Sequence, residues 1–117
     1  CYDLRFPVWL RNTNNAYDML LVVANWPESR KEAFNTLLKA RAIENSCYVC
    51  AANRIGIDGN QVVYAGNSQI VDFKGTIVAN TAEHTDNIVS ATVNKDLLIA
   101  FREKFSVWKD ADPFSLL

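Results

Sequence analysis

Two apolar runs flanking one amphipathic stretch constrain this chain more than anything else in it. Asp18 to Asn25 (DMLLVVAN) is continuously apolar between polar ends, and Cys47 to Ile55 (CYVCAANRI) has the same character. A run without polar alternation suits a strand covered on both faces, as in a parallel or mixed sheet. Between the runs, Pro27 at the first helical position and Glu28 in the first turn announce a helix that extends to about Asn45. Ala33, Phe34, Leu37, Leu38, Arg41 and Ala42 share one face of it, while Lys31, Glu32, Asn35 and Lys39 lie largely elsewhere. Strand, helix, strand in that order is the unit of an α/β sheet with helices on at least one face.

The second half reads as antiparallel. Gly56 to Asn60 is rich in turn residues, so a hairpin or short excursion follows the second strand. Asn67 to Phe73 alternates apolar and polar residues, Lys74-Gly75 turns the chain into Thr76 to Ala79, and Asn87 to Val93 alternates again, which predicts a further strand. Asn94 caps a last helix with Asp96 in its first turn and Leu97, Leu98, Phe101 and Phe105 on its apolar side. The tail from Trp108 to Leu117 carries large apolar residues and is expected to dock. No repeat, low-complexity tract or Pro/Gly/Ser-rich linker divides the 117 residues, so they form one structural unit. Two strands apolar on both faces need cover on both sides, and one long and one short helix do not supply it.

Charge and composition remove several function classes. Twelve Lys and Arg stand against 13 Asp and Glu, and no block of like charges makes a footprint for nucleic acid or an anionic membrane. The longest apolar stretch, Met19 to Ala24, falls far short of the roughly 20 residues a membrane-spanning helix needs. Half the residues are hydrophobic, which excludes a disordered chain. Three cysteines at low density point to a reducing, cytoplasmic setting rather than a disulfide framework. Cys47 and Cys50 have the spacing of redox or zinc motifs, but on a strand they point to opposite faces and no second pair exists, so no metal is expected. His84, the single histidine, sits in a polar turn and reads as a solvated surface residue.

The residues with the most chemistry are at the start. Cys1-Tyr2-Asp3-Leu4-Arg5-Phe6-Pro7 places a thiol ahead of a short charged and aromatic turn, the look of a nucleophile presented by a sharp bend. From chemistry alone an inert cysteine is the commoner reading. Asp3 and Arg5 are spaced to pair with each other or with the turn. Asn25 and Trp26 end the first strand, where ligands collect in open α/β sheets, with Trp26 the preferred pocket wall.

This opening resembles the nucleophile motif of the nitrilase, or carbon-nitrogen hydrolase, superfamily. Ala24-Asn25-Trp26-Pro27, Leu38 to Asn45 with its "ARAIEN" helix end, Asn53-Arg54-Ile55-Gly56, Gly66-Asn67-Ser68 and Asp72-Phe73-Lys74-Gly75 extend the resemblance over nearly the whole chain. Arg102 to Phe105 and Trp108 to Asp112 are similar to the ending of bacterial omega-amidases of the YafV type. The resemblance implies a four-layer αββα sandwich, of which residues 1–117 form the C-terminal portion of a single domain. It implies a Glu-Lys-Cys triad in which Cys1 attacks the amide carbon and passes through a thioester, with the Tyr2 backbone N–H as one oxyanion donor. Activity on a small carboxylated amide of the 2-oxoglutaramate type, without metal or organic cofactor, and assembly as a homodimer or higher homo-oligomer follow from it, with Ala33, Phe34, Leu37 and Ala40 facing a second subunit.

A substrate carboxylate needs a cation or helix N-terminus, and Arg30 in the first turn after Trp26 is the candidate, beside its plain reading as a solvated residue. The family's Glu and Lys precede the nucleophile and have no counterpart after Cys1, so residues 1–117 alone are expected to be inactive. The readings left open are a non-catalytic remnant of the same fold, a nitrile or carbamoyl substrate, and an N-terminal nucleophile hydrolase using the α-amine of Cys1.

Overall fold

A computed structural model describes residues 1–116. Both apolar runs are strands: β1 spans Met19–Ala24 and β2 spans Tyr48–Asn53. They pair in parallel, Met19 opposite Tyr48 through Ala24 opposite Asn53. A parallel pair needs a crossover, and the helix α1, Lys31–Asn45, is that crossover. It begins after a 3-10 turn over Glu28–Arg30, one turn later than Pro27 suggested. It stops at Ser46, whose left-handed φ of 44° turns its N–H back to the Ala42 and Ile43 carbonyls.

The hairpin after β2 is β3 (Ile55–Ile57) against β4 (Val63–Ala65), a separate two-stranded sheet. β5 (Gln69–Val71) returns antiparallel to β2, and β6 (Ile77–Asn80) pairs antiparallel with β5, giving the sheet order β1-β2-β5-β6. The β5–β6 turn is tied by Asp72, whose carboxylate accepts the Lys74 and Thr76 N–H groups at 2.9 Å each. Gly75 is required there, because its φ is +84° and a Cβ would lie 2.7 Å from Ile43 Cδ1. α2 covers Lys95–Lys104, and Asn94 caps it as expected, its side chain accepting the Leu97 N–H at 3.1 Å.

The main core lies between α1 and one face of the sheet. Leu4, Val22, Ala24, Trp26, Phe34, Leu38, Ala42, Cys47, Val49, Ala51 and Val71 are buried together. Leu20, Val22 and Ala24 point to that side; Leu21 and Val23 point to the other and remain 70% and 80% exposed. The apolar character of β1 on both faces is therefore real, while α1 covers only one of them. A smaller cluster of Tyr48, Phe73 and Leu98 seats α2.

Two expectations need correction. Asn87 to Val93 forms no strand. Its alternation is genuine, since Val89, Ala91 and Val93 are half-buried and Ile88, Ser90 and Thr92 are exposed, but no described neighbour offers it a hydrogen-bonding edge. The buried stripe of α2 is Leu98 and Arg102, with Phe101 partly covered, whereas Leu97 and Phe105 are 60% and 58% exposed. Arg102 sets that rotation: its guanidinium reaches the Ser46 and Tyr17 carbonyls at 2.9 Å and Asp18 Oδ1 at 2.6 Å. In the tail, Trp108 Nε1 donates to the Arg102 carbonyl and Arg11 lies over the Phe114 ring, while Leu117 lies outside the described residues.

Candidate active site

Cys1 stands immediately before a 3-10 turn, Tyr2–Arg5, and is exposed. The turn is closed by the Leu4 N–H on the Cys1 carbonyl at 3.2 Å and the Phe6 N–H on the Asp3 carbonyl at 2.9 Å. Tyr2 is the first residue of the turn, where a backbone N–H has no acceptor one turn back, and among the described residues it donates to none. A thiol and a free N–H on consecutive residues are the elements that acyl transfer needs from a nucleophile turn.

The turn is anchored from beneath. The Leu4 side chain is 2% exposed in the main core, and the Leu4 carbonyl accepts from Arg41 Nη2 at 2.6 Å. Arg41, itself buried on α1, also pairs with Glu44 at 2.9 Å. Asp3 and Arg5 do not pair; Arg5 stacks instead on the Trp26 ring, 4.4 Å from its centroid, because that ring closes the gap between the turn and α1.

Trp26 is 4% exposed, with Nε1 donating to the Arg30 carbonyl at 2.8 Å and its ring against Phe34. It thus lies beside the turn under Arg5 rather than on an open surface. Asn53 fixes its backbone from the end of β2: Oδ1 accepts the Trp26 N–H at 2.8 Å, and Nδ2 donates to the Trp26 and Gly66 carbonyls. Asn25 and Arg30 are exposed on either side of this anchored loop. The parallel β1–β2 register ends with Ala24 opposite Asn53, which places the Asn25–Trp26 loop and Asn53 at one end of the sheet.

Sequence reasoning passed over two of these residues as site members. The spacing places Arg41 on an apolar helix face and Asn53 at the close of a strand. The available signal was chemical mismatch, a guanidinium on an otherwise apolar stripe and an amide ending an apolar run, but the partners are 37 and 27 residues away.

The other candidates lie apart. Cys47 is fully buried on the α1 side, where burial pushes its thiol up to about 12, and Cys50 is half-buried opposite Leu21 on the other face. His84 is half-exposed and bonds Glu28 at 3.1 Å, while Lys31 and Asn67 hold Glu83. Glu28, Glu83 and His84 bring ligand atoms within 4.8 Å of one another, the one such group among the described residues, and Glu83 is already held by Lys31 from outside the group. Two open grooves, of about 290 and 420 Å³, run along Asn35, Lys39 and Gln69 and along Asn53, Arg54 and Asp86; neither reaches Cys1. The described residues therefore present the turn without enclosing it. None of their helices is long and apolar enough to cross a membrane.

The profile of the carbon-nitrogen hydrolase family matches residues 1–103, Cys1 included. The chain belongs to the carbon-nitrogen hydrolase family. It is 48% identical to the omega-amidase YafV of Escherichia coli strain K12 over 116 residues, 99% of this chain and 45% of that protein. It is 41% identical to the 2-oxoglutaramate amidase of Paenarthrobacter nicotinovorans over 94% of its length and 37% of the relative's. In three dimensions it superimposes with a TM-score of 0.95 and 44% identity on XC1258 of Xanthomonas campestris, a CN-hydrolase superfamily protein with an arsenic adduct in its active site, covering 100% of this chain and 46% of that one. The chain spans about half the length of the relatives it matches.

Proposed function

We propose that this chain carries the nucleophile half of an amidase that hydrolyses the terminal amide of a small carboxylated amide of the 2-oxoglutaramate type. The observation that supports the reading most strongly is the Cys1–Tyr2 turn, with an exposed thiol next to an N–H without acceptor, inside a chain whose relatives are named for that activity. Arsenic is thiophilic, and the adduct in the XC1258 active site fits a thiol nucleophile at the matching position.

In the proposed reaction the Cys1 sulfur attacks the amide carbon as its proton passes to the general-base Glu of the family triad. Charge gathers on the carbonyl oxygen, where the Tyr2 N–H and the family's Lys stabilise it. The carbon–nitrogen bond breaks, ammonia leaves with the proton returned by Glu, and a Cys1 thioester remains. Water, deprotonated by the same Glu, cleaves the thioester to a carboxylate and restores the thiol. Arg30 and the Asn25–Trp26 loop are the proposed substrate contacts, Arg30 for the distal carboxylate. The protein is proposed to work as a homodimer or higher homo-oligomer, with no metal or organic cofactor in these steps.

The test is ammonia release from 2-oxoglutaramate by the intact protein. Wild type should turn the compound over and Cys1→Ala should abolish turnover at unchanged thermal stability. Turnover of a nitrile with none of 2-oxoglutaramate would remove the substrate assignment, and activity in Cys1→Ala would remove the nucleophile. Purified residues 1–117 are expected to release no ammonia.

A further inference from the structure

We infer that Arg41 is a positioning residue for the proposed nucleophile, holding the Cys1 turn through the Leu4 carbonyl. The inference rests on the amidase reading and deepens it. Leu4 is the fixed point of the turn because three kinds of contact meet on it. Its side chain is buried in the core with Trp26 and Phe34, its N–H donates to the Cys1 carbonyl, and its own carbonyl accepts from Arg41 Nη2 at 2.6 Å. The side chain sets the depth of the turn, and the N–H bond sets the distance from Leu4 back to Cys1. Neither fixes rotation about the long axis of the turn, and the bond from α1 does.

The chemistry of the contact suits that task. A guanidinium is planar and permanently charged, so a bond from it to a neutral carbonyl is directional and does not titrate away near neutral pH. Arg41, on α1, is only 3% exposed, and Glu44 fixes its other branch from the next turn of the helix. The arrangement therefore couples α1, the longest helix, to the turn that carries the exposed Cys1. A rotation of the turn by an ångström at Cys1 would misalign both the sulfur and the Tyr2 N–H with the same amide carbon, and such displacements cost on the order of a hundredfold in rate. Arg41 touches neither sulfur nor substrate in this scheme; it acts through Leu4.

The experiment compares Arg41→Lys, Arg41→Ala and Cys1→Ala in the intact protein with 2-oxoglutaramate. The expected result is a kcat lower by about tenfold or more in both Arg41 variants, with KM within about twofold of wild type. Guanidinium chloride at low millimolar concentration is expected to restore much of the loss in Arg41→Ala and none in Cys1→Ala. The iodoacetamide labelling rate of Cys1 should shift in the Arg41 variants in parallel with kcat. Should Arg41→Ala fail to fold, Arg41→Lys carries the test, since lysine keeps the charge and the stem but loses the fork.

Folded Arg41 variants with wild-type kcat would overturn the inference. So would a loss that tracks thermal stability, leaves the Cys1 labelling rate unchanged and is not rescued by guanidinium. Activity surviving in Cys1→Ala would instead overturn the amidase reading on which the inference rests.

Discussion

At the scale of single residues, the three cysteines occupy three environments that chemistry can tell apart. Cys1 is exposed, Cys50 is half-buried on the uncovered face of the sheet, and Cys47 is fully enclosed. Burial raises the Cys47 thiol to about 12, so at about pH 8 almost none of it is the reactive thiolate. Iodoacetamide should therefore modify Cys1 first, Cys50 more slowly and Cys47 only after denaturation, an order that peptide mapping by mass spectrometry resolves. Rapid labelling of Cys47 in the folded chain would contradict its packing. The same residues show how far the sequence could be read. Cys1 was recognisable because its six following residues form a local motif, and the opposite facing of Cys47 and Cys50 followed from strand period alone. That Arg5 leaves Asp3 for the Trp26 ring was not readable, because the ring arrives from a loop about twenty residues on.

At the scale of elements, the joint between α2 and the start of β1 is held by charge. Asp18 sits between Lys95 at 2.8 Å and Arg102 at 2.6 Å, and the hydrogen bonds from Lys95 and then Arg102 hold its carboxyl below the ordinary aspartate range. A depressed carboxylate binds fewer protons in the folded state than in the unfolded one, so its stabilisation is present above the unfolded value of about 4 and is lost as pH falls through the folded value. Asp18→Asn should therefore lower thermal stability at pH 7 and lessen its decline below about pH 4, as thermal melts across that range would record. Equal melting temperatures of variant and parent at pH 7 would mean that the pair contributes nothing, as is common for exposed pairs. The strand, helix, strand core was predictable because period and caps are local. Asn87 to Val93 was misread because alternation reports which side faces the protein, while a strand also needs a partner edge. The stripe on α2 differs from the apolar side that spacing predicts because Arg102, which hydrophobicity leaves out of that side, is drawn inward by Asp18 and two carbonyls.

For the whole molecule, the decisive feature is a sheet with α1 along one face and only α2, packed at the Met19–Tyr48 end, on the other. The described residues extend 45 × 39 × 18 Å, and the shortest dimension is what one helix layer on one sheet occupies. Leu21 and Val23 project from the uncovered face, where apolar area of this kind promotes association. Residues 1–117 alone should self-associate at micromolar concentration, and Leu21→Lys with Val23→Lys should shift them towards monomer with a similar melting temperature, as sedimentation velocity and thermal melts would show. A monomeric parent chain would remove the prediction.

The sequence by itself determined the strand, helix, strand unit, its apolar surplus and the motif that marks the Cys1 turn as the proposed site, since periodicity, capping and a contiguous motif are properties of neighbouring residues. Only the tertiary structure decided which face of the sheet is covered, which charged side chains turn inward, and that Arg41 on a helix holds the carbonyl of Leu4. Those outcomes depend on contacts between residues far apart in the chain, where burial without a partner is so unfavourable that geometry, not propensity, selects the pairing.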